Sequence, residues 1–296
     1  MGKLACGLAG AGWGLFWIPL RYMDGVGIDG VWATFAFFLL PMPVVLGLII
    51  WRGKSFLGGG WRLHILGFTA ALANVIYANS VLYTEVVRAL VLYYMTPVWG
   101  FLLAWVFLKE SITPARFVSI ILGAIGIAVL FDVTSGFPVP RNVGDWMGLA
   151  AGFTWAVAAV LMRRDPDHTA TDMANSFFFW AIIIATAMAM FSFTDAPPDV
   201  TVVVDNLYWL FPVLAILVVP TVFLVMWGTP LLNPGVAGLF FMTEITVGAM
   251  TAALWAGEPF GTRELTGVVL VSLAGLTEFL AGPLSKRMAK FRTQTR

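Results

Sequence analysis

Charge is scarce in this sequence. Of its 296 residues only 11% are charged, against about a quarter in soluble domains, while 60% are apolar and the mean hydropathy is +0.89. An ordinary globular enzyme is excluded on composition. The net charge of +1 provides no field to draw nucleic acid or an acidic partner. Cys6 is the only cysteine, so no disulfide can form within the chain and the redox compartment cannot be read. His64 and His168 are the only histidines. Both fall at the edges of apolar stretches, which removes a buried histidine dyad and a His-rich metal site, and no HExxH occurs. Gly53-Lys54-Ser55 ends like a phosphate-binding loop, but Leu48 stands where glycine is required and the run closes an apolar stretch. No nucleotide, metal or other cofactor is expected.

What the sequence has in abundance is long apolar runs. Ten can be cut from it: Leu4 to Leu20, Val31 to Trp51, Leu63 to Tyr83, Ala89 to Leu108, Ala115 to Asp132, Trp146 to Met162, Met173 to Phe193, Leu207 to Trp227, Gly235 to Ala256 and Leu265 to Leu284. A helix needs roughly 20 residues to cross the hydrocarbon, and these pieces fit. A membrane strand would be about 10 residues of strict alternation, which is absent, and a span must satisfy its backbone internally. The fold class is therefore all-α, a polytopic protein of ten transmembrane helices whose first partner is the lipid bilayer. The connections are too short to hold a soluble domain.

Charge placement sets the expected orientation. With a cytoplasmic N-terminus, 13 of the 17 basic residues fall in cytoplasmic segments, leaving Arg21, Arg88, Arg141 and Arg263 outside. The positive-inside rule then puts both termini in the cytoplasm, and the expected location is the inner (plasma) membrane. The Lys3-bearing start resembles a signal sequence, but no small-residue cleavage pattern follows, so the first span is expected to be retained. Met1-Gly2 is not a myristoylation signal, because Cys6 stands where Ser or Thr is wanted.

The ten spans repeat. Cys6, Gly10, Trp13, Gly14 and Arg21 fall on Gly148, Gly152, Trp155, Ala156 and Arg163, so the first and sixth spans share a Gly-x-x-Trp element and a small residue every fourth position. Such a face lets helix backbones approach closely. Tyr94-Met95-Thr96-Pro97-Val98 likewise sits over Phe241-Met242-Thr243-Glu244-Ile245, in the fourth and ninth spans, and Glu110 meets Glu258 after one insertion. Five spans per half is odd, so the second copy enters from the opposite side. Two inverted five-helix repeats follow, 1–140 and 141–284, around a central cavity, with a basic cytoplasmic tail over 285–296. Inverted repeats with a site at mid-depth are a recurring plan of secondary transporters. A channel or pore stays open as an alternative, and an intramembrane enzyme as a more distant one.

The run Thr96-Pro97-Val98-Trp99-Gly100 through Ala104-Trp105-Val106-Phe107-Leu108-Lys109-Glu110, with Gly123 and Gly126 beyond it, resembles the end of the first repeat in the drug/metabolite transporter superfamily, the ten-helix EamA-type exporters. Gly257-Glu258-Pro259, Gly267 and Gly275 are a weaker echo, and Glu244 departs from the pattern where Pro97 leads one to expect proline. The chain is most similar to the bacterial aromatic amino acid exporters. That resemblance implies ten helices, cytoplasmic termini, a central substrate cavity and a small-molecule substrate of amino acid type.

Polar groups within spans should face a cavity or one another. Glu244 lies deep in the ninth span with no other charge within ten positions, where an ionised group costs roughly 2.5 to 3.5 kcal/mol. It either attracts a substrate ammonium or carries a proton, or it is a protonated group bonded to a neighbouring helix. Gly248, Thr251 and Trp255 share its face, which is suited to lining a cavity. No second deep carboxylate accompanies it, so no catalytic residue is expected. Glu278 can reach the headgroups or Arg287, and Glu85 with Arg88 reads as an interfacial ion pair. In the third span Asn74 and Tyr77 form one polar line among small residues, and Asn79 and Tyr83 another. One line should face the cavity and the other pack between helices, the first being favoured for substrate.

Aromatic residues make up 15% of the chain. Trp51, Trp61, Trp146, Trp209 and Trp255 fall where interfacial belts should. Mid-span Trp13, Trp17, Trp99, Trp155 and Trp180 do not, and suit either a wall of rings for flat apolar groups or cations or ordinary packing. Prolines at 19, 41, 43, 97, 212 and 220 each free a backbone carbonyl; Pro19, Pro97 and Pro220 are the hinge candidates. The expected substrate-binding set is Trp17, Asn74, Tyr77, Tyr94, Trp99, Trp155, Thr243 and Glu244. The function it serves is export of small amphipathic organic solutes, most of all aromatic and other apolar amino acids, by alternating access.

Overall fold

The computed structural model describes residues 1–52, 58–84, 86–111, 113–130, 139–191, 196–257 and 260–277. Glu85, Glu258, Glu278, Arg287 and the tail 285–296 lie outside these, with the expectations attached to them. Every regular element among the described residues is helical. Gly30–Trp51, Arg88–Leu108, Val143–Arg164, Ala170–Met190, Val200–Leu231 and Pro234–Trp255 are each long and apolar enough to cross a membrane, and Pro114–Leu130 is a shorter apolar helix.

Four of the ten expected spans are broken near their middle. The first is α1 (Gly2–Trp13) and α2 (Trp17–Gly25); the second is α3 (Gly30–Leu39) and α4 (Met42–Trp51). The third is one helix, α5 (Gly60–Tyr83). The fourth is α6 (Val86–Tyr93) and α7 (Thr96–Leu103), ending in a π turn over Ala104–Leu108. Then come α8 (Pro114–Leu130), α9 (Val143–Arg164), α10 (Ala170–Met190) and α11 (Val200–Gly228). The ninth span is α12 (Pro234–Phe241) and α13 (Thr243–Trp255), and α14 covers 262–277. Pro97 opens α7 and Pro41 and Pro43 flank the start of α4, positions where a missing N–H is harmless. Pro212 and Pro220 sit inside α11, which stays continuous around them. In the second half side chains cap the starts of α9 to α12, through Asn142, Thr169 with Asp172, Asp199 and Asn233.

The repeats are interlocked. Helix α1 packs against α11, α12 and α13 of the second repeat, and α9 packs against α5, α6 and α7 of the first. The matched small residues make both contacts. A Cβ on Gly10 would lie 2.7 Å from the carbonyl oxygen of Phe241, and one on Gly152 would lie 2.5 Å from that of Tyr93. The symmetry extends to side chains: Thr96 Oγ1 donates to Tyr93 O (2.6 Å), and Thr243 Oγ1 to Phe240 O (2.9 Å). It fails elsewhere: the first and second spans are broken where α9 and α10, the sixth and seventh, are whole. Helix α10 packs along α5, whereas α4, on the equivalent second span, only grazes α11.

The face that carries the N-terminus is closed by α7 and α12, which cross closely: a Cβ on Gly100 would come 2.7 Å from the backbone nitrogen of Gly235. Beside this crossing Glu110 of the first repeat meets Asn233 (2.8 Å) and Arg163 (3.5 Å) of the second. On the far face Asp145 is fully buried, held by Thr84 (2.6 Å), the Arg141 amide (2.9 Å) and the guanidinium of Arg88. There too Tyr22 donates to Asn206 (2.5 Å) and meets the ring of Trp209 at a tilt, centroids 4.3 Å apart.

Candidate functional site

Above the α7–α12 crossing, at the level of the helix breaks, lies a cavity. Trp13, Phe16 and Leu20 reach it from the broken first span, Thr34, Phe37 and Phe38 from α3, and Asn74, Tyr77 and Ala78 from α5. Tyr93 enters at the break of the fourth span, Trp155 from α9, Val225 from α11, and Phe241 and Glu244 at the break of the ninth. Both repeats thus contribute, and repeat-related Trp13 and Trp155 face the same space. The rings are ordered against one another. Trp13 stacks on Phe37 (6.1 Å), Tyr77 on Tyr93 (4.0 Å), and Trp155 meets Phe241 edge-on (5.9 Å), arrangements that aromatic pairs prefer.

Glu244 stands in the first turn of α13, half-buried. Tyr77 and Tyr93 line the same cavity as its carboxyl. A carboxylate in the first turn also complements the positive end of the helix. Asn74 Nδ2 donates to Ala70 O (3.0 Å), which leaves its carbonyl oxygen for the cavity.

Of the residues singled out from sequence, Asn74, Tyr77, Trp155 and Glu244 meet on this cavity. The others are placed elsewhere. Trp17 Nε1 donates to Thr251 Oγ1 (3.1 Å), tying α2 to α13. Thr243 Oγ1 reaches Gly7 O (2.7 Å) as well as Phe240 O, and so clamps α1 to the ninth span. Trp99 meets Phe153 edge-on at 5.7 Å. Tyr94 lines a second, apolar cavity among α6, α7, α8 and α12, bordered also by Pro97 and Met242. Gly248 and Thr251, expected to line a cavity with Glu244, face α1 and α2. Small residues there serve helix approach. Asn79 is buried between α5 and α10, bonded to Val75 O (2.8 Å) and Met188, and Trp180 Nε1 donates to His64 (3.2 Å).

Sequence reasoning passed over Phe16, Thr34, Phe37, Phe38, Tyr93 and Phe241, and named Trp13 only as a mid-span ring suited to a cavity wall or to packing, outside the expected substrate-binding set. The repeat offered a signal for Trp13, through its match to Trp155. Phe37 and Phe38 are indistinguishable from their neighbours in an apolar run. Among the described residues no group of three His, Cys, Asp or Glu gathers where a metal could be held.

Fold and site together define a class: a polytopic helical membrane protein of two inverted repeats whose broken helices converge on a cavity. The chain belongs to the EamA-like transporter family, whose model matches residues 1–132 and 142–277, one match to each repeat. It is a membrane transporter, a member of the drug/metabolite transporter superfamily. A solved structure described as "Crystal structure of protein" is similar over 97% of this chain and 98% of its own, with a TM-score of 0.75 at 16% identity. That likeness speaks to the fold. No curated protein matches the chain.

Proposed function

We propose that the protein is a secondary carrier that exports small amphipathic organic solutes, aromatic and other apolar amino acids among them, by alternating access. The observation that carries this reading is one cavity, shared by both repeats, in which stacked rings surround a single carboxyl and which α7 and α12 seal on the side of the N-terminus. A flat apolar group stacks among Trp13, Phe37, Tyr77, Tyr93 and Trp155, and Glu244 receives the solute's positive end. The repeats, 1–140 and 141–284, then exchange conformations, opening the face of the N-terminus as the far face closes. The orientation that accords with the basic residues has both termini in the cytoplasm of a cell with the protein in its inner membrane.

The test is counterflow of labelled phenylalanine and tryptophan in proteoliposomes. Saturable exchange is expected, reduced at least about tenfold by Glu244→Gln, the loss of one charge-assisted contact. Nonsaturable flux with ion-like conductance would identify a channel and reject the carrier. A pH jump across the same vesicles examines whether Glu244 carries a coupled proton. An undiminished response in Glu244→Gln would remove that role.

A further inference from the structure

The charge that the described lining of the cavity can offer a neutral or ionic solute is of one sign. Glu244 offers a carboxylate, and Asn74 a carbonyl oxygen and the second N–H of an amide whose first N–H donates to Ala70 O. The hydroxyls of Thr34, Tyr77 and Tyr93 can donate or accept. None of the described lining residues is Lys, Arg or His. A solute with a positive end therefore finds a charged acceptor, a neutral acceptor and the faces of several rings, all of which favour a cation. A carboxylate finds no cation.

Broken helices in other carriers receive a carboxylate on half-helix N-termini, but here tight turns already use many of the amides at the breaks. In the first span the amides of Leu15, Phe16 and Ile18 donate to Gly12, Trp13 and Leu15. In the fourth Met95 N donates to Leu92 O, and in the ninth Met242 N and Ile245 N donate to Leu239 O and Met242 O. The start of α13 carries Glu244 in its first turn, whose charge repels a second anion. A carboxylate entering this space loses its water and gains only neutral donors, the hydroxyls and the Asn74 amide, with no cation beside them.

Resting on the carrier reading above, we infer that the cavity selects its solute by a protonated amine attached to an aromatic or apolar body, and that a free carboxylate on the same molecule counts against binding. Arylalkylamines and other carboxyl-free amines, rather than the parent amino acids, are its best ligands.

The experiment uses three indoles that differ only in their ends: tryptamine, tryptophan and indole-3-acetate. Binding to the purified protein and exchange in proteoliposomes are measured for each. Tryptamine should bind at least about tenfold more tightly than tryptophan, the order of an unpaired buried charge, with indole-3-acetate weakest. Glu244→Gln should abolish the preference. Ala78→Lys, which adds a cation to the same wall, should raise indole-3-acetate above tryptamine. Tryptophan bound and exchanged as well as or better than tryptamine would overturn the inference and leave the carrier standing. A folded Glu244→Gln that keeps the tenfold preference would overturn it too, as would an unchanged order in Ala78→Lys if Glu244→Gln fails to fold. If none of the three binds or moves, the reading as a carrier of aromatic solutes falls, and the inference with it.

Discussion

His168 joins two connections from different repeats. Its Nδ1 lies 2.7 Å from Asp165 Oδ2 and its Nε2 lies 2.9 Å from Gly59 O. Both partners accept, so the ring satisfies both only when it carries two protons. Burial works against that charge, but the bonds to Asp165 and Gly59, with Asp172 nearby, outweigh it and hold the histidine above its ordinary 6.5. A folded-state value above the unfolded one gives a stabilisation complete below about 6.5 and lost as pH rises through the raised value. Thermal melts in detergent across that window should show wild-type protein losing stability where His168→Gln changes little. At the acid end the variant should be weaker by about 1.5–3 kcal/mol, the range of a charged hydrogen bond. This clasp was not readable beforehand, because its partners are a backbone carbonyl and a neighbour in a turn. Glu244 was readable, since one charge in a long apolar run stands out, whereas Thr243 and Trp17 look like ligand contacts in sequence and are engaged by neighbouring helices in the fold.

The ten spans follow from apolar run length, but four of them are broken where hydropathy is unbroken. An average over a span registers how apolar it is and not whether its hydrogen-bond ladder is continuous. Pro97 and Pro41 mark two of the breaks. The first span parts at Gly14, before Pro19, and the ninth at Met242 with no proline at the break. Proline likewise overstates the matter in α11, where Pro212 and Pro220 leave the helix whole. The half-helices α7 and α12 of the fourth and ninth spans cross closely. Gly100→Ala would push a methyl into the backbone of Gly235 and should cost about 1–3 kcal/mol for overpacking, which exceeds the gain of up to about 1 kcal/mol in helix propensity. Gly7→Ala meets nothing within 4 Å and should be neutral or slightly stabilising. Paired detergent melts of the two variants check the difference.

Both faces of the bundle are tied across the repeats, and unequally. Asp145 is sealed from solvent among Arg88, Thr84 and the Arg141 amide. The Glu110 cluster is open to water, with Glu110 and Arg163 side chains 27% and 38% exposed. Exposed pairs contribute about 0.2–1 kcal/mol, so under the proposed alternating access Glu110→Gln should raise the population open on the face of the N-terminus by up to about fivefold. The rate of maleimide labelling of Val225→Cys from that face, in a Cys6→Ser background, measures it. In the same background Gly27→Cys and Asp167→Cys should label from opposite sides of the membrane. The overall plan was legible because a duplicated sequence announces its symmetry. The asymmetry was not, since nothing in the residues of α4 and α10 foretells that one packs along its neighbour and the other stands apart.

The exchange of α1 and α9 between the repeats bears on how the chain is made. Gly10 and Gly14 are shaped to receive residues 241–248, which leave the ribosome only when most of the polypeptide has been synthesised. Throughout translation the first helix must wait in lipid without its mate. A stop codon placed after the eighth span would therefore leave it against α11 alone, its glycine face uncovered, and such a truncated product should be recognised by membrane quality-control proteases despite carrying one complete repeat.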